Sequence, residues 1–234
     1  MVKGAERLLL YSDICKTTKL VMTFPLLKLL GNEIAQSNWS VDSKRTFWTA
    51  CCVAFFGSFR LGEILSSRES EYGHETLSWD DVQIFEDHAV LHIQAPKSIR
   101  SSKGDFVDIF PAPTCCPFEA LKGLKSAKSS FVSKNMPVFA FDNGRYLTAS
   151  SLTATLRILL QKHVGNNVHY LSGHSFRAGI PAALSDCPDL ASDDDIRKWG
   201  RWNSDTYRLY TRLKLNARRA IFVKIISAIN SRHA

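Results

Sequence analysis

The most informative stretch of this 234-residue chain is Gly173-His174-Ser175-Phe176-Arg177-Ala178-Gly179. A spacing of three would place His174 and Arg177 on one face of a helix, and backbone N–H groups near a helix start also attract an anion. By itself, a histidine three residues before an arginine is more often a helix cap beside a surface arginine. The stretch therefore predicts an anion site only if other parts of the chain supply matching groups.

Three further motifs supply such groups. Downstream lie Gly200-Arg201-Trp202 and Tyr210-Thr211-Arg212, and far upstream lies Arg60-Leu61-Gly62-Glu63. Alone, the arginine and glutamate of the upstream motif would more often form a structural ion pair. Attack on a phosphodiester, however, builds up negative charge that fixed guanidiniums can stabilise, and it needs an oxygen nucleophile such as a tyrosine hydroxyl. The four motifs together indicate phosphoryl transfer.

The excess positive charge of the chain is concentrated at its C-terminal end. The formal net charge is +8. Residues 197–234 contain ten Lys/Arg and one acidic residue, whereas the rest of the chain contains 20 Lys/Arg and 21 acidic residues. A basic segment beside the candidate nucleophile is typical of a protein that binds a nucleic-acid backbone. A solvated basic helix is the simpler alternative.

The cysteines and apolar runs indicate an intracellular protein. The six cysteines include no C-x-x-C pair and no histidine at zinc spacing, so we expect reduced thiols, no metal and no cofactor. The longest apolar stretch, residues 49–59, is interrupted by Gly57 and Ser58 and is too short to cross a bilayer. The N-terminal residues do not form a secretory signal. We expect a nuclear location if the source is eukaryotic.

Hydrophobic periodicity and turn residues predict a predominantly helical α+β domain with a small three-stranded antiparallel sheet. One helix should open at Thr23 and Pro25 and another should run from Ser43 to Phe56. The apolar face of the first helix should comprise Leu26, Leu27, Leu30, Ile34 and Ala35. The strands are expected at Leu77–Phe85, Ala89–Gln94 and Phe106–Phe110. Further helices are expected after Pro117, after Thr148, near His174, after Ser192, near Ser204 and at 214–229.

In this order the motifs resemble the catalytic domain of the tyrosine recombinases, also called the phage-integrase family, from about Thr23 to about Arg212. The resemblance implies cleavage and rejoining of double-stranded DNA through a 3′-phosphotyrosine intermediate, without metal or cofactor. It points to a site-specific recombinase or integrase derived from a mobile element. It also implies that residues 23–234 form the catalytic domain and that residues 1–22 are a lead-in, a remnant of a core-binding domain.

The resemblance assigns roles to individual residues. Tyr210, which lies 33 residues after Arg177, would be the nucleophile, and Tyr207 is its rival. Arg60 and Arg177 would neutralise the nonbridging phosphate oxygens, with Glu63 orienting a guanidinium. His174 would accept a proton or bind phosphate. Pro181 departs from the family pattern and is expected to kink the helix after the catalytic turn.

Two assignments stay open at this point. The general acid that protonates the departing 5′ oxygen would be Lys97, with Lys103 as the alternative, because the family places a lysine between its second and third strands. A further phosphate contact would come from Arg201 or from Trp202, since a one-residue slip in the count from the tyrosine changes the assignment. We expect contacts to the DNA backbone from Arg100, Lys103, Arg208, Arg212, Arg218 and Arg219.

Two other functions are compatible with these motifs. One is a domesticated DNA-binding protein that keeps the recombinase fold but exchanges no strands. The other is an enzyme similar to the type IB topoisomerases, which use the same chemistry to relax supercoils.

The end of the chain predicts a helix with an apolar stripe. The stripe comprises Leu213, Ala217, Ala220, Ile221, Ile225, Ala228 and Ile229. In recombinases such a helix docks on a neighbouring protomer, although the stripe would equally allow docking on its own domain. We expect a protein that is monomeric when free and a homo-oligomer on DNA.

Overall fold

The computed structural model describes residues 20–73, 76–94, 104–128, 133, 135–185, 191–201 and 215–232. Its helices are α1 (Phe24–Gln36), α2 (Val41–Phe56), α3 (Leu61–Ile64), α4 (Pro117–Lys128), α5 (Ala149–Val164), α6 (Gly179–Ser185), α7 (Asp193–Trp199) and α8 (Leu215–Arg232). Its strands are β1 (Val82–Ile84), β2 (Ala89–Ile93) and β3 (Asp105–Ile109), and 3₁₀ turns occur at Trp79–Asp81 and Gly165–Tyr170. The predominantly helical α+β fold is confirmed.

Helix α2 forms the centre of the core. Every residue from Ala50 to Phe56 is at most 1% exposed, so this half of the helix is covered on all sides. The Phe55 and Phe56 rings pack edge to face, 5.1 Å apart between centroids, and Phe24 of α1 packs against both. A fully buried helix is a fixed frame, because any shift would disturb close-packed neighbours on every face. The helix ends at Phe56, and three residues connect it to Arg60.

The glycine that ends α2 is needed for space. A Cβ atom at Gly57 would lie 2.1 Å from the ring of Phe59, which is itself fully buried. Any side chain at position 57 would therefore displace Phe59 and the segment that follows it.

The sheet is antiparallel in the order β1-β2-β3, with Val82 opposite Leu91 and Leu91 opposite Val107. The second and third strands begin and end within one residue of the prediction. The first strand was predicted too long, because Asp81 accepts hydrogen bonds from the backbone N–H and the hydroxyl of Ser78 at 3.0 and 2.6 Å. These bonds draw the backbone into a 3₁₀ turn before β1.

The helix predicted near His174 begins later than expected. Residues 173–178 form hydrogen-bonded turns, and α6 begins at Gly179. Pro181 is the third residue of α6, where its missing N–H would have bonded to the carbonyl of Arg177 in a longer helix. The proline therefore separates the turn from the helix instead of kinking a continuous helix. A smaller error concerns Ala35, which is exposed although it was predicted on the apolar face of α1.

The terminal helix α8 docks on its own domain. Its Phe222 side chain is 3% exposed and lies 5.5 Å from the Phe110 ring and 5.8 Å from the Phe56 ring. Trp199 also packs against it, with ring centroids 6.2 Å apart. Ile225 is buried as predicted, whereas Phe222 was missing from the predicted stripe. Of the two docking modes that the stripe allowed, the structure therefore has the one within the chain.

Two general properties complete the description. None of the helices in the described ranges has the length and apolar character needed to span a bilayer. Four of the cysteines are free thiols, namely Cys51, Cys52, Cys115 and Cys116. Burial raises the pKa of the Cys51 and Cys52 thiols well above the ordinary value, so both stay protonated in the core.

Two neighbouring residues of α8 provide a test of its docking. Phe222→Ala should lower the free energy of unfolding by about 3 to 5 kcal/mol, because it leaves a cavity among three aromatic rings. Val223→Ala is the matched control, since Val223 is 61% exposed, and should change stability by less than about 0.5 kcal/mol. Urea unfolding followed by circular dichroism measures both. Equal effects of the two substitutions would show that α8 is not part of this core.

Candidate active site

A single carboxylate, that of Glu63, holds three guanidiniums together. Its Oε1 atom lies 3.1 Å from Nη1 of Arg60 and 3.3 Å from Nη1 of Arg177. Its Oε2 atom lies 2.7 Å from Nη2 of Arg201. We call these four residues the arginine cluster. The Glu63 side chain is 8% exposed, so one negative charge meets three positive charges in a largely water-free place. The four side chains together carry a formal net charge of +2, which attracts anions.

The local sequence explains how Arg60 and Glu63 face each other. Arg60 is the residue before the short helix α3, and its backbone N–H donates to Oε2 of Glu63 at 2.9 Å. Glu63 therefore caps the helix and also binds guanidiniums. Leu61 and Ile64 are buried and hold α3 against the core. The Arg60 side chain is 34% exposed, so it forms the solvent side of the cluster.

Arg177 forms the buried side of the arginine cluster. Its side chain is 4% exposed, and its Nη2 donates to the backbone carbonyl of Arg201 at 3.0 Å. Its Nε has no hydrogen-bond partner among the described residues. Desolvation lowers the pKa of Arg177 to about 10, with Arg201 and Arg60 adding to the decrease and Glu63 opposing it. Arg177 is therefore still charged at neutral pH, and its Nε–H is available for a further acceptor.

Arg201 belongs to the same cluster, and the sequence had left it open against Trp202. Its side chain is 12% exposed, and its guanidinium lies over the Phe59 ring at 4.5 Å from the ring centroid. Its backbone has a φ of +52°, in the left-handed region. Trp202 lies outside the described residues. Arg201 is thus part of the arginine cluster, and the choice between Arg201 and Trp202 as the phosphate contact stays a prediction.

Ser58 is a member of the site that sequence reasoning missed. Its carbonyl oxygen accepts a hydrogen bond from Nη1 of Arg177 at 3.5 Å and from Nη2 of Arg201 at 3.3 Å. The residue is fully buried and has a φ of +48°, which costs a non-glycine residue roughly 1 to 2 kcal/mol. The strained backbone turns this carbonyl towards the two arginines. The one available signal was its place between Gly57 and Arg60.

His174 differs from the buried arginines because it is exposed to solvent. It is exposed on the turn that precedes α6, whereas Arg177 three residues later is buried. The turn is braced from within, because Ser172 N–H donates to Oγ of Ser175 at 2.9 Å and Ser175 N–H donates to the Ser172 carbonyl at 2.9 Å. The turn therefore presents the imidazole to solvent and sends the arginine inwards.

Several predicted residues cannot be placed in the site. These lie outside the described residues: Tyr210, Tyr207, Lys97, Lys103, Arg100, Arg208 and Arg212. Arg218 and Arg219 lie on α8. The Arg219 guanidinium binds the carboxylate of Asp87 and faces the Phe110 ring at 6.0 Å, so it ties α8 to the β1–β2 turn. Within the described ranges, no three histidine, cysteine or acidic side chains are grouped so that they could hold a metal ion.

By sequence, no family model matches the chain, and no curated protein matches it either. By structure it is similar to XerH site-specific recombinase bound to difH substrate in a pre-cleavage complex, with a TM-score of 0.56, 16% identity, and 87% of this chain and 54% of that chain covered. It is also similar to XerA recombinase, with a TM-score of 0.54, 17% identity, and 90% of this chain and 65% of that chain covered. A third similar structure is a FLP recombinase–Holliday junction complex, with a TM-score of 0.55, 10% identity, and 96% of this chain and 53% of that chain covered.

This chain thus spans about half to two thirds of the length of these structures. The similarity includes both the helical core and the small antiparallel sheet, although fewer than one residue in five is identical. The protein therefore has the fold of a tyrosine-recombinase catalytic domain.

Proposed function

We propose that this protein is a DNA strand transferase that breaks and rejoins double-stranded DNA by transesterification, as a site-specific recombinase or integrase of mobile-element origin. The observation that carries the proposal is the arginine cluster, which has a formal net charge of +2 and an Arg177 Nε–H that is buried without a hydrogen-bond partner among the described residues. Preorganised guanidiniums of this kind stabilise the charge that develops on a phosphate under attack. The recombinase fold supports DNA as the source of that phosphate.

In the proposed reaction Tyr210 attacks a DNA phosphate. A bond forms between the tyrosine oxygen and phosphorus, the bond to the 5′ oxygen breaks, and the product is a 3′-phosphotyrosine with a free 5′ hydroxyl. Arg60, Arg177 and Arg201 neutralise the nonbridging oxygens. His174 accepts the tyrosine proton or binds the phosphate. Attack by the 5′ hydroxyl of another strand reverses the step and completes the exchange.

The proposed general acid is Lys97, with Lys103 as the alternative, and it would protonate the departing 5′ oxygen. Support comes from the base of the β2–β3 hairpin, where Ile93 pairs with Asp105. The Asp105 carboxylate opposes the fall in the pKa of Arg177, and this electrostatic effect supports a location of the hairpin end near the arginine cluster. Both lysines lie in the connection that starts and ends there.

The basic C-terminal segment provides the proposed DNA-binding surface. Arg100, Lys103, Arg208, Arg212 and Arg218 remain proposed phosphate contacts, whereas Arg219 already pairs with Asp87. Exchange between two DNA sites requires more than one protomer, so we propose a homo-oligomer on DNA. The docking of α8 on its own domain removes that helix as support for the assembly. An intracellular and, in a eukaryote, nuclear location follows from the substrate.

One observation favours a second function, that of a DNA-binding protein that does not cut. Both terminal nitrogens of Arg177 are already bound by Ser58, Glu63 and the Arg201 carbonyl. Only its Nε–H and the second N–H of Nη2 are left for a phosphate among the described contacts, unless DNA rearranges these bonds. Formation of a covalent adduct separates the two functions.

Tyr210→Phe should abolish covalent attachment while leaving DNA binding largely intact, because one hydroxyl is lost. The substrate is a pool of end-labelled nicked duplexes with randomised sequence beside the nick, which trap the adduct after cleavage. Tyr207→Phe is the matched control and should retain the adduct in a denaturing gel. The opposite pattern would assign the nucleophile to Tyr207. A wild-type protein that binds DNA but never forms an adduct would favour the non-cutting function.

Glu63→Gln should lower the rate of adduct formation by about 10²-fold, because the three guanidiniums lose the charge that orients them. DNA affinity should hold or increase, since the site gains one positive charge. Glu71→Gln is the control, because that carboxylate pairs with Arg68 in an exposed position at 2.8 Å. Circular dichroism checks that both variants are folded. A Glu63 variant with the wild-type rate would contradict the role of the cluster.

DNA binding should weaken steeply as salt increases, because each neutralised phosphate releases counterions and contributes about 0.9 to the log–log slope. Arg212→Gln should reduce the slope by about one unit. Arg219→Gln should leave it nearly unchanged, since its partner is Asp87. Fluorescence anisotropy of a labelled duplex at several salt concentrations measures both. A flat salt dependence for the wild-type protein would remove the nucleic-acid interpretation.

A further inference from the structure

Arg157 on helix α5 binds the backbone that leads into the turn at residues 173–178, which contains His174 and Arg177. Its Nη2 donates to the Leu171 carbonyl at 2.7 Å and to the His169 carbonyl at 3.1 Å. Its Nε donates to the Leu171 carbonyl as well, at 3.1 Å. Two donors of one rigid guanidinium thus converge on one oxygen, two residues before Gly173. No sequence motif had singled out this arginine.

The peptide that Arg157 holds is the boundary between a fixed and an exposed part of the chain. Leu171 is fully buried and ends the 3₁₀ turn, so its side chain is already anchored. The neighbouring Tyr170 carbonyl accepts a hydrogen bond from the backbone of Leu20 at 3.2 Å. After Leu171 the chain turns through His174 and Arg177. The orientation of the Leu171 carbonyl therefore sets the direction in which this turn departs.

An arginine is well suited to holding a backbone segment in one orientation. A planar guanidinium with two donors on one acceptor fixes both distance and angle, which a flexible ammonium cannot do. Within the described ranges, the hydrogen bonds of Arg157 all go to backbone carbonyls, and none goes to a carboxylate. These bonds are charge-assisted, and hydrogen bonds to charged groups contribute more than neutral ones.

We infer that Arg157 is a positioning residue for the candidate active site: it holds the Leu171 peptide so that the following turn delivers Arg177 to Glu63 and presents His174 to the substrate. This role rests on the proposed function of the cluster. Arg157 acts through the backbone and does not touch the reacting phosphate. Its loss should consequently affect the chemical step more than the affinity for DNA.

Three variants of the full chain test this role. Arg157→Met keeps the apolar stem and removes all three hydrogen bonds, whereas Arg157→Lys keeps the charge but not the two-donor geometry. Lys162→Met is the matched control, because Lys162 lies on the same helix and pairs with Glu33 at 2.7 Å, away from the turn. Hydrogen exchange of the amides of Ser172, Ser175 and Ala178 in the free protein reports on the turn without any need for activity.

We expect the Arg157→Met and Arg157→Lys variants to exchange these amides at least about tenfold faster, because each loses at least one charge-assisted hydrogen bond of about 1.5 kcal/mol. At saturating nicked duplex, the single-turnover rate of adduct formation should fall by a similar factor, while the DNA concentration at half-saturation stays within about twofold. The Lys162 variant should match the wild type in all three measurements.

Other outcomes overturn the inference. Weaker DNA binding with an unchanged rate at saturation would make Arg157 a phosphate contact. If the Arg157 variants have the same amide exchange and the same rate of adduct formation as the Lys162 variant, Arg157 is an ordinary surface residue. If their amides exchange faster but the rate of adduct formation is unchanged, Arg157 contributes only to the local stability of the turn. If the wild-type protein forms no adduct, the proposed catalytic function fails, and the positioning of the turn is then decided by the exchange data alone. Unchanged exchange in that case also overturns the role of Arg157.

Discussion

The site depends on one electrostatic constraint: three guanidiniums share the carboxylate of Glu63. Guanidiniums at this separation repel each other strongly where water is excluded, and each needs a partner to remain charged. Glu63 supplies that partner to arginines from three distant parts of the chain. It is itself fixed by the backbone N–H of Arg60. The formal net charge of +2 on these four side chains favours the binding of an anion.

The surrounding fold can be understood from what this constraint requires. Helix α2 is buried on all sides along its second half, so the segment that leaves it enters the site at a defined point. Gly57 allows Phe59 to fold back under the cluster, where its ring faces Arg201. The turn at residues 173–178 brings in Arg177, and α7 ends directly before Arg201. Rigid elements therefore end at the site, and short irregular segments carry its charged groups.

Much of the fold could be predicted because its elements follow simple patterns. Helix α2 and strands β2 and β3 were predicted from apolar periodicity, and their limits agree within two residues. Errors arose where a local hydrogen bond or a missing donor outweighed the pattern, as at Asp81 before β1 and at Pro181 within α6. Phe222 was missed because the terminal stripe was assembled from small and aliphatic residues, whereas the core at that place is a cluster of aromatic rings.

Members of the site could be predicted from the sequence where the functional group is a side chain. Arg60, Glu63 and Arg177 stood in recognisable motifs, and the structure brings them into contact. Counting alone could not separate Arg201 from Trp202, because a one-residue slip changes which of the two takes the place of the phosphate contact. The role of Ser58 had no side-chain signature, since its functional atom is a backbone oxygen, and only its place between Gly57 and Arg60 pointed to it. An alanine scan across the site would pass over that acceptor, because every substituted residue still has a carbonyl. The position would respond to backbone preference, tolerating glycine and resisting β-branched residues, so that conformational fitness rather than side-chain chemistry would govern which variants survive there.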